Sequence, residues 1–372
     1  MTDWKHIETT VLHGYEDAMR QTPQEPRWHG EGDVWTHTRM VCEALVSLPE
    51  YNALSGQEQK AVYLAAMLHD IGKTVTTTIE GGGLHAPHHA PTGSRMARRT
   101  LWTEYGLSGS TEAVRFREAV CLLVRYHTFP VHAIDMPDAR LRLHRIAANS
   151  QLAPLFSVRL LCLLSKADML GRIADDIRES LERIAFCEEL AREEGCYETA
   201  CMFPSSYTQH AFLSGREVWK EQELYDDTWG EVIMMSGLPG TGKDTWITRY
   251  ATDIPMVSLD AIRQEKRIPP EKEQGYVANI AREQAKEHLR NHQPFVWNAT
   301  NITAQMRESL SALFESYRAR ARIVYLETAW QTLLRRNSSR VRAVPQQAVE
   351  KMLDKTVLPE TREAQTVEWL CV

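Results

Sequence analysis

From residue 34 to about residue 194 apolar side chains recur three and four positions apart, the spacing that gathers them on one face of a helix. Val34–Leu48 reads as one amphipathic helix, with His37 near its start and Pro49 closing it. Gln57–Asp70 reads as another, and its stripe of Ala61, Leu64, Ala65 and Leu68 delivers His69 and Asp70 to the C-terminal end. Further helices are expected near 93–104, 113–126, 138–149 and 154–170, and Arg172–Glu194 reads as a charged amphipathic helix leaving the domain. Few runs alternate as strands do, so residues 1–194 predict an all-α domain. Past Gly195 the periodicity weakens, with Phe203-Pro204 and Asp226-Asp-Thr-Trp-Gly230 as turn signals, and the domain boundary is placed in a helical linker region over 195–229. Beyond it short apolar runs (Val232–Met235, Pro255–Ser258, Pro294–Trp297, Ala321–Leu326) alternate with helical stretches at 275–291 and 303–318. That rhythm predicts a parallel α/β sheet over 230–372, and so a multidomain chain.

Composition adds boundaries to this picture. A chain of 372 residues exceeds one core of ordinary size. No apolar run approaches bilayer length, and Met-Thr-Asp-Trp-Lys-His-Ile-Glu lacks the profile of a signal peptide, so no membrane contact is expected. Seven scattered cysteines without C-x-x-C pairs argue against a disulfide framework and for a reducing, cytoplasmic setting. The net charge of −6 does not advertise a nucleic-acid binder. Any such contact must use local basic patches: Arg95 with Arg98 and Arg99, and Arg335, Arg336, Arg340 and Arg342.

Two constellations carry chemistry. Gly237-Leu-Pro-Gly-Thr-Gly-Lys-Asp-Thr245 follows an apolar run and opens a helix, the context in which G-x-x-x-x-G-K cradles phosphates. Gly237, Gly240, Thr241 and Gly242 supply the loop, Lys243 reaches the β/γ-phosphates, and Mg²⁺ accompanies ATP. Asp244 stands where a Ser or Thr hydroxyl usually meets the magnesium, leaving either Asp244 or Thr245 to serve it. Three polar groups follow at expected strand ends. Asp260 can take a proton from an acceptor hydroxyl and Arg263 can hold an acceptor phosphate. Asn298 and Asn301 end the next strand, and Leu334–Pro345 is rich in arginine, with Arg336 and Arg340 expected on one helix face. Each has a plain alternative as a helix cap, a turn or a solvated face.

The second constellation is His37, His69-Asp70 and Asp168, which resembles the H…HD…D metal site of the HD phosphohydrolase superfamily. Imidazoles suit transition metals such as Mn²⁺, Co²⁺ or Ni²⁺, and an open coordination shell leaves room for an attacking water. Lys73, one turn on, is placed to meet a phosphate oxygen. His89, in an H-x-x-x-G pattern with Gly93, and His127 fit the metal-rich version of that family, for a second metal or for the substrate phosphate.

In the other half, the spacing of Asp260 and Arg263 resembles polynucleotide kinases, and Arg336 with Arg340 resembles the lid that closes over ATP there. An HD domain followed by a P-loop kinase resembles HD-Pnk, the bifunctional RNA/DNA end-healing enzymes. The resemblance implies that the kinase phosphorylates 5′-OH ends while the HD domain removes 2′,3′-cyclic phosphates or 2′-phosphates, leaving ends for an RNA ligase. A small-metabolite or nucleoside kinase fused to an HD nucleotidase, and a nucleotide-sensing regulator, remain alternatives.

Overall fold

The computed structural model describes residues 4–269, 272–340 and 342–372. The chain divides into two compact units, one of residues up to Leu107 with Glu112–Met202, the other of Ser108–Thr111 with Phe203–Val372. The expected linker thus falls partly in each, and it contains a helix, Ser206–Ser214, capped by the Ser205 hydroxyl. No helix of the described residues is long and apolar enough to cross a membrane.

The first unit is helical. Its central helix, Gly56–Leu68, starts at a capping box in which the Ser55 side chain meets the Glu58 backbone and the Glu58 carboxylate returns to Ser55. It buries Ala61, Val62 and Leu64 through Leu68, so its last turn is fixed deep in the core. The helices Val34–Ser47 and Val158–Leu170, capped by Asp33 and Ser157, pack on it and on each other. Past the central helix a short antiparallel hairpin pairs β1 (Thr78–Glu80) with β2 (Gly83–His85). The next helix begins at His89 rather than at residue 93, which carries Gly93 into its first turns. A Cβ on Gly72 would sit 2.1 Å from the His89 carbonyl oxygen and 2.6 Å from the Gly93 nitrogen. The bare backbones of Gly72 and Gly93 are therefore what let the His69-Asp70 turn lie against the His89 helix.

The second unit is a five-stranded parallel sheet in the order β4-β5-β3-β6-β7, from β3 (Gly230–Ser236), β4 (Met256–Ser258), β5 (Val296–Asn298), β6 (Ala319–Glu327) and β7 (Thr366–Cys371). Alternation along β3 explains the layering. Val232 and Met234 join a core with Phe295, Trp297, Leu310 and Phe314, whereas Ile233 and Met235 face Trp246, Ile247 and Leu326. The edge strand β7 was not foreseen from the sequence; its burial is mixed and its period gave no clear signal. Helices Lys243–Tyr250, Leu259–Lys266, Gln274–Arg290, Ala304–Ser316 and Trp330–Ser338 connect the strands. Loops at the carboxyl ends of strands in such a sheet form the ligand-binding crevice.

Candidate active sites

In the helical unit the predicted ligands converge. His37 Nε2 lies 3.0 Å from Asp168 Oδ1 and 3.3 Å from His69 Nε2. Asp70 stands between two groups, with Oδ2 at 3.3 Å from His69 Nε2 and 3.6 Å from His37 Nε2, and Oδ1 at 3.5 Å from His89 Nε2 and 3.8 Å from His127 Nε2. Two sets, His37 with His69 and Asp70 and Asp70 with His89 and His127, thus have metal-ligand spacing and share one carboxylate.

The tautomers follow from the partners. Nδ1 of His69, His89 and His127 lies 2.8, 2.9 and 2.8 Å from the carbonyl oxygen three residues back, of Ala66, Ala86 and Val124. A carbonyl only accepts, so each Nδ1–H donates and each Nε2 turns its lone pair toward Asp70. Both Asp70 oxygens are buried without a well-directed hydrogen bond, and the charge of Lys73 Nζ stands 2.7 Å from Oδ2. Burial alone would raise the Asp70 pKa, but Lys73 and His69 hold it well below the usual carboxylate range. Burial likewise opposes charge on His37, yet its contacts with Asp168 and Glu31 push it up to about 9. Burial and the neighbouring His69 pull His127 down to about 3. A buried carboxylate whose oxygens lack a well-directed hydrogen bond, ringed by aimed imidazoles, suits divalent metal, which would supply Lewis acidity toward a phosphate and a water.

Asp70, His89, His127 and Asp168 line a cavity of about 480 Å³ together with Trp28, His132, Arg172 and Arg183, while His37 and His69 lie buried behind it. Lys73 lines it too and donates to Gln24 Oε1 at 2.6 Å. Glu31 and His29, which meet His37 from the loop before its helix, were not singled out from the sequence. They lie in an aperiodic stretch, His29-Gly-Glu-Gly-Asp33, where only their closeness to His37 along the chain hinted at a role.

In the α/β unit the phosphate loop runs from β3 into the helix that opens at Lys243. Gly237 has a φ of 138°, and a Cβ there would lie 2.4 Å from the Leu326 carbonyl oxygen, so the loop packs on β6 only with glycine. Thr241 is buried and donates to the Leu238 carbonyl. Lys243 Nζ folds back to the carbonyls of Gly237 and Leu238 at 2.8 and 2.9 Å, and its desolvation, helped by the charge of Arg340, brings it down to about 8.

Beside the loop Asn298 donates to Asp244 Oδ1 at 2.8 Å, so the end of β5 faces the residue after Lys243 directly. Thr245 is exposed one residue further on. Asp260 sits in the first turn of a helix capped by Ser258, with its carboxylate open to solvent and 3.9 Å from Arg340 Nη2. The same Arg340 nitrogen is 4.0 Å from Asp244 Oδ2.

Three expectations need correction. Arg336 and Arg340 do not share a helix face, because the helix ends at Ser338; Arg336 leaves it beside Gly242, and Arg340 reaches the carboxylates from the turn beyond. Within that arginine-rich stretch Val341 lies outside the described residues. Arg263 is buried, and its guanidinium donates to the carbonyls of Pro269 and Lys272 and to Gln274 Oε1, which commits these donors to the following loop and helix start. Asn301 is buried with a φ of 42°, its amide donates to the Met235 carbonyl, and its own carbonyl accepts from Ser236 and Arg307. It braces the floor of the phosphate loop.

Fold and sites together define a helical domain built around a histidine and aspartate cluster, joined to an α/β phosphate-loop domain. Residues 34–170 match the family model described as HD domain, and residues 232–359 match that described as AAA domain. The chain therefore carries an HD domain fused to a P-loop, kinase-like domain of the AAA type. Two curated proteins resemble parts of it, both called multifunctional CCA protein. The one from Shewanella frigidimarina is 39% identical over 66 residues, 18% of this chain and 14% of the relative. That from Halorhodospira halophila is 31% identical over 121 residues, 32% of this chain and 25% of the relative. The chain thus spans a quarter or less of the length of these relatives.

Proposed function

We propose that the chain is an end-healing enzyme of the HD-Pnk kind, acting on RNA or DNA ends. The P-loop domain transfers the γ-phosphate of ATP to a 5′-OH end, with Mg²⁺ as the metal of the nucleotide. The HD domain hydrolyses a 2′,3′-cyclic phosphate or a 2′-phosphate, leaving ends for a ligase. The observation that carries the reading is the pairing, in one chain, of two phosphate-handling sites with different donor chemistry: imidazoles around Asp70, and glycine-loop amides with Lys243.

On the kinase side, Asp260 has the exposure and the strand-end position of a general base toward a hydroxyl acceptor. A mere nucleotide sensor has no use for such a carboxylate. On the other side, the cavity over the cluster has room for a phosphorylated nucleotide end, and Lys73 on its lining would offer an ammonium to a phosphate oxygen. The short likeness to the multifunctional CCA proteins supports a nucleic-acid substrate for the HD domain.

The test is to incubate the full chain with ATP, Mg²⁺, Mn²⁺ and a short RNA bearing a 5′-OH and a 2′,3′-cyclic phosphate, and to follow both ends. The expected result is a 5′-phosphate and a 3′ end freed of its cyclic phosphate. Phosphorylation of free nucleosides with RNA left untouched would favour the small-molecule alternative and defeat this reading.

A further inference from the structure

Of the four imidazoles around Asp70, three are oriented by the carbonyl oxygen three residues before them. His37 is held differently. It stands in the first turn of Val34–Ser47, where its backbone N–H already bonds the Asp33 carbonyl, and its Nδ1 instead faces a carboxylate, Glu31 Oε1, at 2.9 Å. That side chain is 1% exposed. The same Oε1 accepts from His29 Nδ1 at 2.8 Å, while Oε2 accepts the Ile173 backbone N–H at 2.9 Å, just past the helix that carries Asp168. Glu31 therefore ties the loop before His37 to the segment after Asp168, the two ligands that arrive from opposite ends of the unit's sequence.

We infer that Glu31 is the positioning residue of the His37 side of the cluster, setting the ring's orientation and making His37 the most electron-rich of its imidazole ligands. This rests on the reading of the cluster as a divalent metal site. A carboxylate behind a ligating imidazole fixes the tautomer and raises the donor strength of the opposite nitrogen, and losing such a partner costs tenfold to a hundredfold in metal affinity. A neutral carbonyl, as behind His69, His89 and His127, fixes the tautomer with a weaker electrostatic effect. His29, Glu31 and His37 also have metal-ligand spacing among themselves, but an ion there would displace the Nδ1 proton that Glu31 accepts from His29, break the 2.9 Å contact of Glu31 with His37 Nδ1 and set His37 between two cations. The geometry favours a shared anionic acceptor over a third metal.

The consequence is asymmetric: the set containing His37, His69 and Asp70 depends on Glu31, and the set containing His89 and His127 does not. Full-length protein stripped with a chelator is titrated with Co²⁺, reading the visible absorption of the ion and the heat of binding, for wild type, Glu31→Gln and Glu31→Asp. Glu31→Gln keeps the volume and removes the charge. One Co²⁺ step is expected to weaken tenfold to a hundredfold, with a changed absorption band, while any second step stays within twofold. Glu31→Asp, which keeps the charge but retracts it, is expected to lose three- to tenfold at the same step, and it decides the matter if the Gln variant does not fold. No step weakened more than twofold, or equal weakening of both steps, overturns the inference. A wild-type protein that binds no Co²⁺ overturns the metal reading and this inference with it.

Discussion

The two sites are built in opposite ways. The phosphate loop is nine consecutive residues, and Asp244 within it and Asp260 beyond it hold exposed carboxylates. The HD cluster draws His37, His69, Asp70, His89, His127 and Asp168 from five separate segments, and all but His89 are buried. A contiguous loop needs glycines that tolerate its turns, and it can wait open for a soluble nucleotide. A convergent cluster of like imidazoles needs outside acceptors for every Nδ1, and helices locked by core packing, before any ligand arrives. One site is thus specified locally and completed by its substrate; the other is completed by the fold.

The sharpest break would be cross-dependence. Lys243→Ala or Asp260→Ala should reduce 5′-phosphorylation by about 10³-fold or more and leave the phosphoesterase intact, and His69→Ala with Asp70→Ala should do the reverse. Radiolabel transfer from ATP and release of the cyclic phosphate, followed in the same samples, check this. Loss of both activities in a folded single-site variant would end the two-site view.

Next in size is the facing pair in the kinase. Asp244→Ala should raise the Mg²⁺ needed for half-maximal rate about tenfold, the loss of roughly one charge-assisted contact. Asn298→Asp sets a second carboxylate where Asn298 now donates to Asp244 at 2.8 Å, and it should also slow the enzyme. The double change Asp244→Ser with Asn298→Asp should recover part of the rate. An unchanged magnesium titration in Asp244→Ala would hand the metal to Thr245.

A comparable effect should appear with pH. Lys243 is brought down to about 8, so the ammonium that meets the phosphates is largely present at pH 7 and mostly lost by pH 9. ATP binding must then take up a proton, and its affinity should fall about tenfold between those values. Calorimetry in two buffers of different ionisation enthalpy reads the uptake; constant affinity to pH 9 would contradict it.

The smallest functional effect belongs to Arg263. With its guanidinium committed to Pro269, Lys272 and Gln274, Arg263→Ala should cost about 2 kcal/mol of stability and shift KM for a 5′-OH oligonucleotide less than threefold. A large KM effect at unchanged melting temperature would restore the acceptor-binding role.

Legible in the sequence were the two-part order, the helical and parallel-sheet classes, the phosphate-loop motif and the His69-Asp70 pair as candidates, because these are written in periodicities and in short contiguous spacings. What it left undecided were choices that depend on partners distant along the chain. Arg263 and Asn301 look like substrate contacts in a linear motif, yet burial gives their donors backbone carbonyls to satisfy, and a buried donor must be satisfied. Arg340 was expected to act from a helix face; the helix ends before it, and only the folded turn carries it to Asp244 and Asp260. Glu31 had no pattern to reveal it, since a loop has no period. The convergence of His37 with Asp168, 3.0 Å apart across 131 residues of sequence, was decided by the packing of their helices on the buried Gly56–Leu68 core, because long-range contact is a property of packing and not of local spacing.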